Sequence, residues 1–309
     1  MGDVLAGIHA TWELESDALV IRFDRGIRTP KLLHALRERR VPLEALASVT
    51  LTPGKRGTVV LHAVPRPGAD PLMEAAAGQL KEGSDPYRLV LPAEREPLAE
   101  RHRDELRALL AAHAGAAGAA GYEAYAPGDG VVGGVAPADR FLVAPPTGPQ
   151  SFKAYDGKAT FDGTSEVAFR WSWTGASTEK WKAGDQVFSV RDLCGVEWRS
   201  PDGVDGYLRL VPRGGGPRAE RPDEDPSCVV FGRYGPVHES LAFAAAVLAA
   251  IRGKDRAPVP VPVAAGGGGE RRDPGAVAER IRHLGELHQA GLVTDAEFSA
   301  KKAELLAEL

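Results

Sequence analysis

Apolar and polar residues alternate at the start of the chain. Ile8, Ala10, Trp12 and Leu14 interleave with His9, Thr11, Glu13 and Glu15, and after Ser16-Asp17 the alternation resumes at Leu19, Ile21 and Phe23. A period of two sends successive side chains to opposite faces, so this stretch predicts a half-buried β-hairpin. Residues 49–51, turning at Pro53-Gly54-Lys55-Arg56-Gly57 into 59–64, predict a second hairpin, and 87–91 a later strand. The period then lengthens. Across 94–114, Leu98, Leu106, Leu109 and Leu110 form one apolar stripe behind an acidic first turn, which predicts an amphipathic helix.

The series occurs twice. Ala10-Thr11-Trp12 matches Ala159-Thr160-Phe161 at an offset of 149, and Leu19-Val20-Ile21-Arg22-Phe23 matches Val167-Ala168-Phe169-Arg170-Trp171 at 148. At 147, Leu43, Leu46, Val49, Leu61 and Val64-Pro65-Arg66 meet Val190, Leu193, Val196, Leu208 and Val211-Pro212-Arg213. Order and spacing held over this distance indicate an internal duplication, and small turn insertions account for the drift. The closing helix of the second copy falls at 237–252, with Leu241, Val247, Leu248 and Ile251 inward. Stretches rich in Ala, Gly and Pro read as linkers. The expected organisation is a domain at 1–114, a linker at 115–149, a second domain at 150–252, a linker at 253–275 and a terminal segment at 276–309.

That terminal segment predicts a two-helix hairpin. Ile281, Leu284, Leu287 and His288 recur at helical spacing, Gly291 stops the helix, and Thr294-Asp295-Ala296-Glu297 forms a capping box ahead of Phe298, Leu305 and Leu306. Isolated helices shorter than about 12–15 residues are marginal in water. The apolar positions Ile281, Leu284, Leu287, Leu292, Phe298, Leu305 and Leu306 are therefore a candidate partner interface, and Gly291, Thr294 and Glu297 define the hairpin.

Several strands followed by one amphipathic helix, in two copies, resemble the pleckstrin-homology-like (PH-like) domains of bacteria. Two such copies ahead of a helical hairpin resemble an uncharacterised tandem-domain family of high-GC bacteria. The hairpin is similar to the SHOCT (short C-terminal) family at Leu284, Leu287, Gly291, Leu292, Thr294, Glu297, Phe298, Lys301 or Lys302, Leu305 and Leu306. The fold class implied is mainly β (α+β), with two tandem PH-like β-barrels or sandwiches, each closed by a C-terminal helix, plus a short C-terminal α-helical hairpin. The SHOCT resemblance implies oligomerisation or targeting, and the PH-like one recognition of lipids or proteins. Phosphoinositide recognition by such barrels uses basic residues in the loop joining the first two strands. Here those loops read Glu15-Ser16-Asp17 and Gly163-Thr164-Ser165-Glu166, which disfavours that route.

Charge narrows the partners. The net charge is −4, with 16 Lys+Arg against 16 Asp+Glu in residues 1–120 and 14 against 15 in 151–255. A nucleic-acid binder needs a basic excess to neutralise phosphates, so no nucleic acid is expected. The densest basic run, Arg25, Arg28, Lys31, Arg37, Arg39 and Arg40, reads as a solvated helix or loop face. Cys194 and Cys228 read as buried small apolar residues. The first residues lack a basic and then apolar leader, and no apolar run is long enough to span a bilayer, so a cytoplasmic location is expected.

Catalytic chemistry finds little support. Gly128-Asp129-Gly130-Val131-Val132-Gly133 satisfies G-x-G-x-x-G but sits in a linker, without the strand and helix that a pyrophosphate site requires. His283 and His288 are five apart, not at the spacing of a zinc helix, and no G-x-S-x-G elbow occurs. Asp223-Glu224-Asp225 reads as a flexible solvated loop. No catalytic, cofactor or metal-binding residue is expected, nor any cofactor. Trp171 and Trp173 share a parity and hence a strand face, whereas Trp181, flanked by Lys180 and Lys182 in a polar turn, is a candidate surface contact for a partner or a lipid headgroup. The expected function is a non-enzymatic binding and assembly protein, engaging a protein partner or a second copy through the C-terminal hairpin. The alternatives are a peripheral membrane protein on an anionic surface and an enzyme with a site between the two domains.

Overall fold

The opening alternation becomes a paired sheet. In this computed structural model, which describes residues 4–118, 136–203, 205–215, 219–232 and 237–255, β1 (Val4–Ala6), β2 (Ala10–Leu14) and β3 (Ala18–Phe23) run antiparallel, with Trp12 opposite Ile21 and Leu14 opposite Leu19. Every second residue of β2 is buried, as a half-buried strand demands. A short helix, α1 (Lys31–Leu36), turns the chain into β4 (Glu38–Pro42), which ends the sheet in the order β1-β2-β3-β4. A second sheet follows from β5 (Leu46–Pro53), β6 (Thr58–Pro65) and β7 (Arg88–Pro92). Helix α3 (Glu96–Gly118) lies on β5 and buries Ala99 and Leu106.

The second copy repeats these elements. β8 (Gln150–Lys153), β9 (Gly157–Phe161), β10 (Glu166–Trp171), α4 (Thr178–Ala183) and β11 (Gln186–Ser189) precede β12 (Leu193–Arg199), β13 (Tyr207–Pro212), β14 (Cys228–Val230) and α5 (Val237–Asp255). The β9–β10 turn shows how the sequence sets the register. Asp162 Oδ1 accepts from the N–H groups of Thr164 (2.8 Å), Ser165 (2.8 Å) and Glu166 (3.1 Å). Slight desolvation opposes ionisation of this carboxyl, but those donors and the Ser165 hydroxyl outweigh it and hold the group below the usual carboxylate range.

The described residues are thus mainly β, with four antiparallel sheets and few helices. Among the described residues no sheet closes into a barrel, which corrects the barrel form of the expectation. In the first copy the two sheets share one apolar core but join at a single bridge, Ile8 to Val90. Gly7 permits even that approach, because a Cβ there would lie 2.7 Å from the Val90 carbonyl oxygen. In the second copy Tyr155 N–H donates to Val230 O at 2.9 Å in the same place.

One element has no counterpart among the described residues of the second copy. Helix α2 (Pro71–Ala76) sits between β6 and β7, begun by Asp70, whose carboxylate accepts from Leu72 N–H at 2.9 Å, and by Pro71, which has no N–H to satisfy. It packs on α5 and β12. Leu72, Ala75 and Ala76, with Leu32 of α1, belong to the same apolar cluster as Phe169, Trp198, Phe243, Ala244 and Ala245 of the second copy. Small alanines on both helices let the backbones approach, and around them Gln79 works as a clip. Its amide donates to Trp198 O (3.0 Å) and its Oε1 accepts from Ser200 N–H (3.0 Å). Lys81 pairs with Asp202 at 3.2 Å, and Arg252 pairs with Glu74. The apolar side chains at this contact are as buried as those of a core, so the two copies are not merely tethered surfaces.

Several sequence expectations change. Within 136–149, read as linker, Leu142 and Val143 N–H both donate to Ala69 O, and Val143 is buried. The Arg25 to Arg40 run is not one solvated face, because Arg39 alternates inward from β4 and is buried. Cys228 is buried but Cys194 is exposed. Asp225 is buried and lies 2.8 Å from Arg209 Nε, so it does not belong to a flexible solvated loop. The hairpin positions Ile281, Leu284, Leu287, Gly291, Leu292, Thr294, Glu297, Phe298, Leu305 and Leu306, and the glycine motif at 128–133, lie outside the described residues. No helix among the described residues is long and apolar enough to cross a membrane.

Candidate functional site

A concavity forms where the two copies meet. A cleft of about 720 Å³ lies between α1 and β4 of the first copy, residues 143–147, the edge of β8 and the first turn of α5. Its size falls within the roughly 300–1,000 Å³ of ligand pockets. Leu32 and Leu36 from α1, Val143, and Ala242 from α5 supply apolar wall, while Arg37, Glu38, Arg40, His238, Glu239, Gln150 and Ser151 supply polar groups.

Alternation along β4 decides what each of its charges does. Arg39 and Val41 point into the core, and Glu38 and Arg40 point out. Arg39 Nη2 lies 2.8 Å from both carboxylate oxygens of Asp70, and the Tyr87 hydroxyl donates to Asp70 Oδ2 at 2.8 Å. Burial pushes the Tyr87 hydroxyl well above its ordinary value, and the neighbouring Asp70 charge adds to that. This buried triad fixes β4 against the start of α2. Outside, Arg40 donates to Asp17 at 2.8 and 3.0 Å and pairs with Glu15, while Glu38 accepts from Arg22 Nε at 2.8 Å. Arg37 differs from its neighbours. It caps α1 at φ +59°, a conformation that L side chains rarely adopt, and its guanidinium has no partner among the described residues.

The second copy presents a different surface around α4. Trp173 lies beyond the end of β10, 84% exposed, and its ring meets Trp181 edge-on at 5.3 Å between centroids. Trp171 is buried instead, so the two tryptophans do not share a strand face. Trp181 and Lys182 are exposed on α4, as a surface contact requires. Lys180 is not. It is fully buried, donating from Nζ to Asp156 Oδ2 (2.5 Å) and Cys228 O (2.7 Å), with the Trp171 ring 4.9 Å away. A polar sequence, Thr178-Glu179-Lys180-Trp181-Lys182, reads as a turn, but the Ser177 cap and the Gly184 stop make it a helix that turns one lysine inward. Burial holds the Asp156 carboxyl above the usual carboxylate range against the pull of Lys180, and burial pushes the Cys228 thiol up to about 12. A thiol held so high stays protonated and unreactive at neutral pH.

Two copies of one sheet-sheet-helix unit, interlocked through α2 and framing a cleft, define a duplicated β protein with a built-in concave surface. The family described as a domain of unknown function, DUF4429, matches residues 12–107 and 159–248, more than half of the chain, and the chain belongs to it. The short C-terminal domain, SHOCT, matches residues 279–306. No curated protein and no solved structure matches the chain.

Proposed function

We propose that the chain is a non-enzymatic binding and assembly protein, in which two PH-like units present a recognition surface and the SHOCT segment joins the chain to another copy or to a protein partner. The observation that carries this reading is the interlock, since α2 holds two copies of one unit around a shared concave surface. Four strands, three strands and a closing helix, in that order in both copies, support PH-like units. The SHOCT match coincides with the apolar positions Leu284 and Leu287, whose burial needs company. Sedimentation of the full chain tests the assembly half. The intact chain is expected above its monomer mass of 32.7 kDa, and Leu284→Asp with Leu287→Asp is expected to return it to that mass. A monomeric intact chain that also retains no partner in crosslinked lysate sinks the proposal.

One observation favours a second reading, attachment to a membrane surface. Each copy exposes an apolar side chain in the loop after its third strand, Ile27 in the first and Trp173 in the second, and exposed Lys182 follows Trp181, whose ring meets that of Trp173. Flotation with phosphatidylserine vesicles, weakened by salt and lost in Trp173→Ala, is the expected signature. Equal recovery with and without vesicles rejects it.

A further inference from the structure

We propose that the cleft binds an extended acidic peptide, which adds as a strand to the free edge of β4; this rests on the binding reading above and names its partner. The sheet order leaves β4 with a neighbour on one side only. Phe23 N–H donates to Arg37 O at 2.7 Å and Leu43 N–H to Asp17 O at 2.9 Å, so positions 37, 39, 41 and 43 face β3. In an antiparallel pair the alternate positions face the other way. Glu38 and Arg40 therefore turn their backbone N–H and C=O groups to the open edge, where neither has a backbone partner among the described residues.

A second free edge borders the same cleft. β8 ends its sheet, and Ala154 N–H donating to Gly157 O at 2.8 Å directs Gln150 and Phe152 toward β9, leaving the backbone of Ser151 facing away. Unpaired edges are a template for another chain, and proteins commonly guard them with charges that project across the edge. The charges on β4 are engaged elsewhere, Glu38 with Arg22 on β3 and Arg40 with Glu15 and Asp17. Arg37, at the head of β4, is left to meet an incoming carboxylate, whereas His238 on the opposite wall already lies 3.7 Å from Glu239. Leu32, Leu36 and Ala242 give apolar wall for alternate side chains of an added strand. Main-chain pairing selects an extended peptide and the uncommitted guanidinium selects an acidic one.

Hydrogen exchange on the full-length protein tests this. The probes are a capped hexapeptide alternating valine and glutamate, its lysine counterpart, and the glutamate peptide N-methylated at alternate amides. The glutamate peptide is expected to slow exchange at the Glu38 and Arg40 amides by about tenfold or more, while the methylated and lysine peptides leave them unchanged. Arg37→Ala is expected to weaken the glutamate peptide about fivefold while keeping the same protection pattern. Absence of protection at both amides with millimolar glutamate peptide overturns the proposal, as does equal protection by the methylated peptide. A chain that assembles as expected yet shows no protection sinks the peptide site alone, and one that shows protection without assembling sinks only the assembly half.

Discussion

Asp70→Ala is expected to destabilise the protein by about 3–5 kcal/mol, the usual result of removing one partner from a buried ion pair. Arg39 and Asp70 expose 7% and 0% of their side chains, so water cannot take over the guanidinium's lost bonds. The Tyr87 hydroxyl loses its acceptor and α2 loses the cap on Leu72 N–H in the same step. Pairing the change with Arg39→Met is expected to recover part of the loss, because the remaining charge disappears with it. Urea unfolding followed by circular dichroism measures both variants. A cost below about 1 kcal/mol for Asp70→Ala, or a double variant less stable than the sum of the singles, contradicts this account of the triad.

Leu72→Ala is expected to cost about 2–5 kcal/mol, the range for emptying a fully buried leucine site, and to do so in both copies at once. Leu72 belongs to the first copy by sequence, yet it packs within the core of the second. Fluorotryptophan spectra separate the copies, since Trp12 reports on the first and Trp198 on the second. Both resonances are expected to melt at one midpoint in the parent and to shift together in the variant. Separate midpoints in the parent, or a shift confined to Trp12, are incompatible with an interlocked pair.

The strands and closing helices were legible because their signals are local and repeated. Alternation at Trp12 and Leu14 and the stripe at Leu106 each match one face of one element, and the match between the two halves supplied a check. The short helices were harder. α1 and α4 are six residues each, too brief for a periodic stripe, so only their end signals mark them. α2 carried readable punctuation, Asp70-Pro71 at its start and a left-handed Ala77 at its end, but its Leu-Met-Glu-Ala-Ala body says nothing about which copy it serves. The cleft could not be seen at all. It joins positions 37–40 to 143–151 and 238–242, and the docking of α1 and α2 on α5 brings these stretches together. Lys180 failed for a related reason, since a lysine is buried only where distant partners, here Asp156 and Cys228 O, await it.

The interlock also sets an order of events at the ribosome. Roughly 180 residues separate the end of α2 from the end of α5, and at about 5–20 residues per second they take some ten to thirty-five seconds to synthesise. Throughout that interval the nascent first copy shows Leu32, Leu72, Ala75 and Ala76 to solvent, with their eventual cover not yet made. The chain therefore emerges with a sticky face that only its own later half removes, and a transcript cut short before α5 leaves a product marked for chaperones and proteases.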